Sequence, residues 1–107
     1  MDSLPDFIAE LQYFTTEQGG RKTPVFSNYF PQIKFIFSDA QIGGRQKFIN
    51  KEIVNPGDNV TAEITLLLPE VFTKKLKVGF KFDFREGSKI MGTGIILDIL
   101  NQELITR

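Results

Sequence analysis

The chain has no cysteine, no histidine and no tryptophan among its 107 residues. Without cysteine there is no disulfide, no thiolate nucleophile and no zinc site built on sulfur. Without histidine the chain loses the one side chain that titrates near neutral pH unperturbed, and the commonest metal ligand. Ser27, Ser38 and Ser88 therefore lack an imidazole base, which excludes a serine triad. The carboxylates are scattered and none shows metal-ligand spacing. Gly87-Ser88-Lys89-Ile90-Met91-Gly92-Thr93 echoes a phosphate-binding loop, but the lysine that should follow the second glycine is missing. Long apolar runs are missing too. The run of Leu66, Leu67 and Leu68 ends at Pro69, far short of the ~20 residues of a membrane helix. The first six residues carry no basic leader. These absences imply a non-catalytic cytoplasmic chain with no cofactor, no metal and no membrane partner.

What is present is a hydrophobic period of two. In residues 76–85, Leu76, Val78, Phe80, Phe82 and Phe84 alternate with Lys77, Gly79, Lys81, Asp83 and Arg85, the pattern of a strand with one buried and one solvated face. Val60, Ala62, Ile64, Leu66 and Leu68 repeat it. Residues 7–14 and 33–37 match more loosely, residues 47–54 are a weaker candidate, and residues 89–100 are a mostly apolar run. Residues 95–104 would also suit a short amphipathic helix; a strand to about Leu100 is favoured. Turn signals fall at Gln18-Gly19-Gly20, Ile42-Gly43-Gly44, Asn55-Pro56-Gly57-Asp58-Asn59 and Arg85-Glu86-Gly87-Ser88. Pro24 and Pro31 confine residues 23–31 to an irregular or edge segment. Gly92-Thr93-Gly94 reads as a bulge or a place where another backbone comes close. Six short strands and no convincing helix predict one all-β domain over residues 1–107, an antiparallel barrel or sandwich, with a frayed leader (1–6) and tail (101–107). Most of the 11 phenylalanines then fill the core; stacking platforms for bases would need aromatics on the solvated face.

Thirteen basic residues balance thirteen acidic ones, but in blocks. Residues 1–20 carry −4, 21–51 carry +5, 52–73 carry −4 and 74–89 carry +4. Two outcomes follow: the basic blocks share one side of the barrel and offer a patch for phosphates, or basic and acidic faces pair across strands. The pI near 6.2 lies well below the pI above 9 usual for strong nucleic-acid binders.

Three ordered motifs carry a family resemblance. Gly19-Gly20-Arg21-Lys22-Thr23-Pro24-Val25-Phe26-Ser27, followed by Tyr29 and Pro31-Gln32, resembles the third domain of elongation factor Tu. Pro56-Gly57-Asp58-Asn59-Val60 resembles that family's PGDNV turn, and Phe82-x-Phe84-Arg85-Glu86-Gly87-Ser88-x-x-x-Gly92-x-Gly94 its closing hairpin. The match runs from about residue 7 to residue 100. It implies a six-stranded antiparallel β-barrel, in agreement with the strand count. It also implies contact with the T-stem of aminoacyl-tRNA, with the GTPase domain and with the nucleotide-exchange factor.

By that resemblance Arg21, Gln32 and Glu86 match RNA-contacting positions, and Lys34 joins them as a neighbouring cation. Arg21 suits a phosphate, while Gln32 and Glu86 suit minor-groove edges and 2′-hydroxyls of an A-form stem. Phe30 stands where the family has an arginine, Gln41 where it has a threonine, and Asp83 where it has a small apolar residue beside the interdomain surface. Residues 70–79 are longer and richer in lysine than the family's loop. No GTPase or second domain fits in 107 residues. The expectation is a stand-alone barrel that binds tRNA or structured RNA through Arg21, Gln32, Lys34 and Glu86. The alternative is a protein-interaction module with Tyr29, Phe30 and Asp83 on its face, docking on a translational GTPase or exchange factor or forming a homodimer.

Overall fold

The computed structural model describes residues 4–106. Eight strands form: β1 (Phe7–Tyr13), β2 (Val25–Phe26), β3 (Gln32–Phe35), β4 (Ile42–Phe48), β5 (Ile53–Val54), β6 (Asn59–Leu66), β7 (Lys81–Glu86) and β8 (Lys89–Ile99). Six of them close an antiparallel barrel in the order β1-β6-β4-β3-β7-β8, and β2 pairs with β5 in a separate ribbon. Closure leaves none of the six strands with an unpaired edge. The six-stranded antiparallel barrel implied by the motifs is the fold observed.

The period-two pattern explains the core. Phe7, Ala9, Leu11 and Tyr13 of β1 point inward, as do Val60, Ala62, Ile64 and Leu66 of β6. Six of the 11 phenylalanines are buried: Phe7, Phe35, Phe48, Phe72, Phe82 and Phe84. The rings of Phe7, Phe35 and Phe82 meet with centroids 5.4–6.0 Å apart, within the range of favourable tilted aromatic pairs. Such large rings fit because β8 supplies glycines opposite them. Phe82 pairs with Gly94 and Phe84 with Gly92, and a Cβ on either glycine would fall 2.3 or 2.4 Å from the facing ring. At Gly92 the carbonyl oxygen of Gln12 also lies 2.4 Å from that Cβ position, the close backbone approach expected of this stretch. The β7–β8 hairpin turns on Gly87-Ser88, with Gly87 at φ +62°, as the first position of a II′ turn requires.

Four sequence expectations are corrected. Gly43 and Gly44 are not a turn but lie inside β4; a Cβ there would strike the ring of Phe30 or the side chain of Ile33. Their missing side chains serve packing, not φ. Residues 47–54 do not form one strand, since β4 ends at Phe48 and β5 begins only at Ile53. The strand expected from residue 76 starts at Lys81, because Gly79 adopts φ +94°. Leu76 is buried but Val78 is 55% exposed, so the two do not share one core face. The fourth correction concerns the termini, which are not frayed where they are described. Asp6 is buried, and Gln102–Leu104 forms a 3₁₀ helix with Leu104 in the core. Leu76 N–H donates to Leu104 O at 2.8 Å and Thr106 N–H to Leu76 O at 2.8 Å. Residues 1–3 and 107 of the expected leader and tail lie outside the described residues.

The carboxylate of Asp6 holds this end together. It accepts from Leu66 N–H at 2.7 Å and from Asn101 Nδ2 at 2.9 Å. Its carbonyl accepts from the amides of Leu100 and Asn101. The opposite end of the barrel, where β1, β4 and β7 finish and β3, β6 and β8 begin, carries the polar cluster described next.

Candidate functional site

Antiparallel pairing brings distant residues to the hairpin end. Phe82 and Phe84 of β7 face inward, and Glu86, two residues on, keeps that direction beyond the last core layer. It therefore reaches over the barrel mouth. There it forms an ion pair with Arg21, which the loop after β1 delivers from 65 residues away in sequence. Tyr29 Oη donates to Glu86 Oε2 at 2.5 Å, and the Arg21 guanidinium carbon lies 5.3 Å from the centre of the Tyr29 ring, within cation–π range. Arg21 is anchored further by Nε to Thr23 O at 3.2 Å and Nη2 to Thr23 Oγ1 at 3.0 Å.

Beneath this cap lies a buried polar pair. Tyr13 Oη donates to Gln46 Oε1, while Gln46 Nε2 has no hydrogen-bond partner among the described residues. The Tyr13 ring packs 4.9 Å from Phe84 and 6.2 Å from Tyr29. Burial pushes the Tyr13 phenol well above its ordinary range, helped by Tyr29. Tyr29 is raised by burial and then by its bond to Glu86. Arg21 is raised by Glu86, against the lowering effect of its burial. The cap thus sets an Arg21–Glu86 ion pair beside a Tyr29 phenol that stays protonated at neutral pH.

The other sequence candidates sit on the outer wall beside the mouth. Gln32 and Lys34 alternate outward on β3, opposite Arg85 and Asp83 of β7. Arg85 forms an ion pair with Asp83 through Nε at 2.7 Å, which raises the Arg85 guanidinium. The two basic blocks of the sequence do meet on neighbouring strands, β3 and β7, but with Asp83 set between their cations. Lys47 likewise faces Glu63 across β4 and β6. Both charge outcomes read from the sequence are therefore present in part.

The residues named for a protein-docking face do not form one group. Phe30 is 46% exposed and lies on Gly43, Asp83 is engaged with Arg85, and Tyr29 turns to Arg21 and Glu86. Sequence reading missed Tyr29 as a member of the Arg21–Glu86 cluster, and missed Tyr13 and Gln46 beneath it. The loose alternation of residues 7–14 does not single out Tyr13, and nothing local in the chain signals that Gln46 is buried.

The described residues hold no group of three or more carboxylates that could bind a metal ion, and no helix among them is long and apolar enough to cross a membrane. Barrel closure, strand order and a polar cap over one mouth define the class as a small closed antiparallel β-barrel domain. The model of the elongation factor Tu C-terminal domain matches residues 1–100, and the chain belongs to that family. The family is that of a non-catalytic β-barrel domain of a translation factor.

Proposed function

We propose that this protein is a non-catalytic module that binds tRNA or another structured RNA in the cytoplasm, in a translation context. The observation that carries the reading is the convergence of Arg21, Tyr29 and Glu86 at one barrel mouth, with Gln32 and Lys34 on the adjoining wall. Arg21 still has N–H groups beyond those given to Thr23 and Glu86, and a guanidinium suits a phosphate oxygen. Gln32 and Glu86 supply the donors and acceptors that read 2′-hydroxyls and minor-groove edges of an A-form stem. With Arg21 and Lys34 as the phosphate contacts, the affinity is modest and its log–log salt slope is about −2.

Fluorescence anisotropy with a labelled aminoacyl-tRNA at low salt tests this. Arg21→Ala and Lys34→Ala should each weaken binding and make the slope shallower by about one. No binding at low salt, or binding indifferent to Arg21→Ala and Glu86→Ala, would contradict it. Half-exposed Phe30 over Gly43 favours a second reading, docking of a translational GTPase, an exchange factor or a second copy on the wall. A partner that survives nuclease treatment and is lost in Phe30→Asp would favour that reading.

A further inference from the structure

Three of the 11 phenylalanines, Phe26, Phe30 and Phe37, are exposed. Phe37 stacks on Phe35 and meets Phe72 and Phe80, so its surroundings are apolar. Phe26 faces Ile53 across the β2–β5 ribbon, and the cation nearby, Lys51, is held by Asp58. Phe30 differs from both, with an unengaged cation and an amide at its sides. We propose that Phe30 is a stacking platform for one unpaired nucleobase, with Arg45 taking the phosphate and Gln32 the base edge of the same nucleotide. The proposal rests on the RNA-binding reading above and deepens it: the RNA that fits carries an unpaired base beside its stem.

The register fixes the neighbours of the ring. Gln46 N–H donates to Tyr29 O and Gly44 N–H to Pro31 O, both at 2.9 Å, and Gln32 pairs with Gly43. Residues 29–32 therefore run antiparallel to residues 43–46, which sets Phe30 directly across from Arg45. Pro31, Gly44 and Gln46 are buried, while Phe30, Gln32 and Arg45 are exposed on the outer wall. Side chains opposed in this way have Cβ atoms roughly 4.5–5.5 Å apart, and Gln32 follows about 7 Å along the strand. The Phe30 ring lies against Gly43, where a Cβ would come 2.8 Å from its Cζ. With no side chain there to lift it, the ring rests on backbone and opens to solvent. Arg45 belongs to none of the three ion pairs among the described residues. Its neighbour on the far side is the neutral Thr65, so no carboxylate stands directly opposite it.

The chemistry of this trio selects a nucleotide out of its helix. Every base offers a π-face to an aromatic ring, but in a paired A-form stem neighbouring bases already cover both faces. A base splayed out of a bulge or loop is free to stack on a phenylalanine. A guanidinium beside the ring suits its phosphate, and the Gln32 amide offers both donors and an acceptor to the base edge. Lys34, the next outward position on β3, continues the cationic line along the wall.

Fluorescence anisotropy at low salt tests the platform with two RNA hairpins of one stem sequence, one fully paired and one with a single unpaired adenosine. The full chain should hold the second about five- to twentyfold more tightly, the lower part of what stacking on one aromatic provides. Its log–log salt slope should also be steeper by about one, through Arg45. Phe30→Leu keeps an apolar cover over Gly43 but removes the π-face, and should abolish the preference. Phe30→Tyr should retain it, and Arg45→Ala should remove the added slope. By NMR, the base protons of the unpaired adenosine should move upfield on binding the parent and not on binding Phe30→Leu. Equal affinity for the two hairpins, or a preference that survives Phe30→Leu, would overturn the platform and leave the RNA reading standing. Binding of the unpaired hairpin alone, lost in Phe30→Leu, would keep the platform and remove the stem from that reading. No binding of either hairpin would overturn both and leave Phe30 to protein docking.

Discussion

Replacing Asp6 by alanine should be the most damaging single change at the end of the barrel where the termini meet. Asp6 is 5% exposed, and its carboxylate accepts two hydrogen bonds, from Leu66 N–H at 2.7 Å and Asn101 Nδ2 at 2.9 Å. Bonds to a charged acceptor contribute about 1.5–3 kcal/mol each, and a buried donor left without a partner bears its full desolvation cost. The two losses are unequal. Leu66 is buried and its amide cannot turn to water, whereas Asn101 is half-buried and recovers part of its loss by hydration. The expected total is about 3 kcal/mol, which for a domain of this size lowers Tm by roughly 10–20 °C. Asp6→Asn should cost less. Its oxygen can still accept from Leu66, but Asn101 must then turn and give up its cap on the Glu103 amide. Urea and thermal unfolding of the parent, Asp6→Ala, Asn101→Ala and the double variant measure both the total and the coupling. A loss below about 1 kcal/mol, or no coupling between Asp6 and Asn101, would refute the clamp.

Two further outcomes follow from the packing and the turns. Gly94→Ala places a Cβ 2.3 Å from the Phe82 ring, which Phe7 and Phe35 hold in place. Overpacking of this kind costs about 1–3 kcal/mol, and denaturant titration should show it, whereas Gly79→Ala meets no atoms within 4 Å and is penalised only through its φ of +94°. At Asp58 the Asn55 amide, at 2.9 Å from Oδ2, holds the carboxyl below its ordinary value, with Lys51 adding to the effect. A folded-state value below the unfolded one stabilises the fold above the unfolded pKa of about 3.9. That contribution disappears as the pH falls through the folded value. The stability gap between the parent and Asp58→Asn should therefore be constant near neutrality and shrink below about pH 4; a gap that widens on acidification would contradict the sign.

The sequence announced the barrel wherever one side of a strand faces water. β6 and β7 alternate cleanly in sequence and in burial, and β1 does so in burial, and the three family motifs lie on the β1–β3 connection, the turn before β6 and the β7–β8 hairpin. Reading went astray where a rule of local chemistry was overruled by packing. Gly43-Gly44 looks like a turn, yet the rings and branches of Phe30 and Ile33 occupy the space a side chain would need. Residues 76–80 keep the apolar alternation, but Gly79 turns the chain before the strand begins. The tail lacks any strong signal of its own, and its anchor is Asp6, 95 positions from Asn101. The candidate site was half legible. Motif matching singled out Arg21 and Glu86 separately, but their pairing across 65 positions, and the role of Tyr29 in fixing it, depends on barrel closure.

The proposed RNA site is the Arg21–Tyr29–Glu86 mouth together with the Gln32–Lys34 wall. Titrating an isotope-labelled sample with an RNA hairpin at low salt, and following every backbone amide by NMR, tests this most directly. Shifts should concentrate at residues 19–34 and 83–89 and leave the Asp6, Phe72 and Leu104 end unmoved, and they should fade as salt rises. Shifts centred on the opposite end, or none anywhere at low salt, would contradict it.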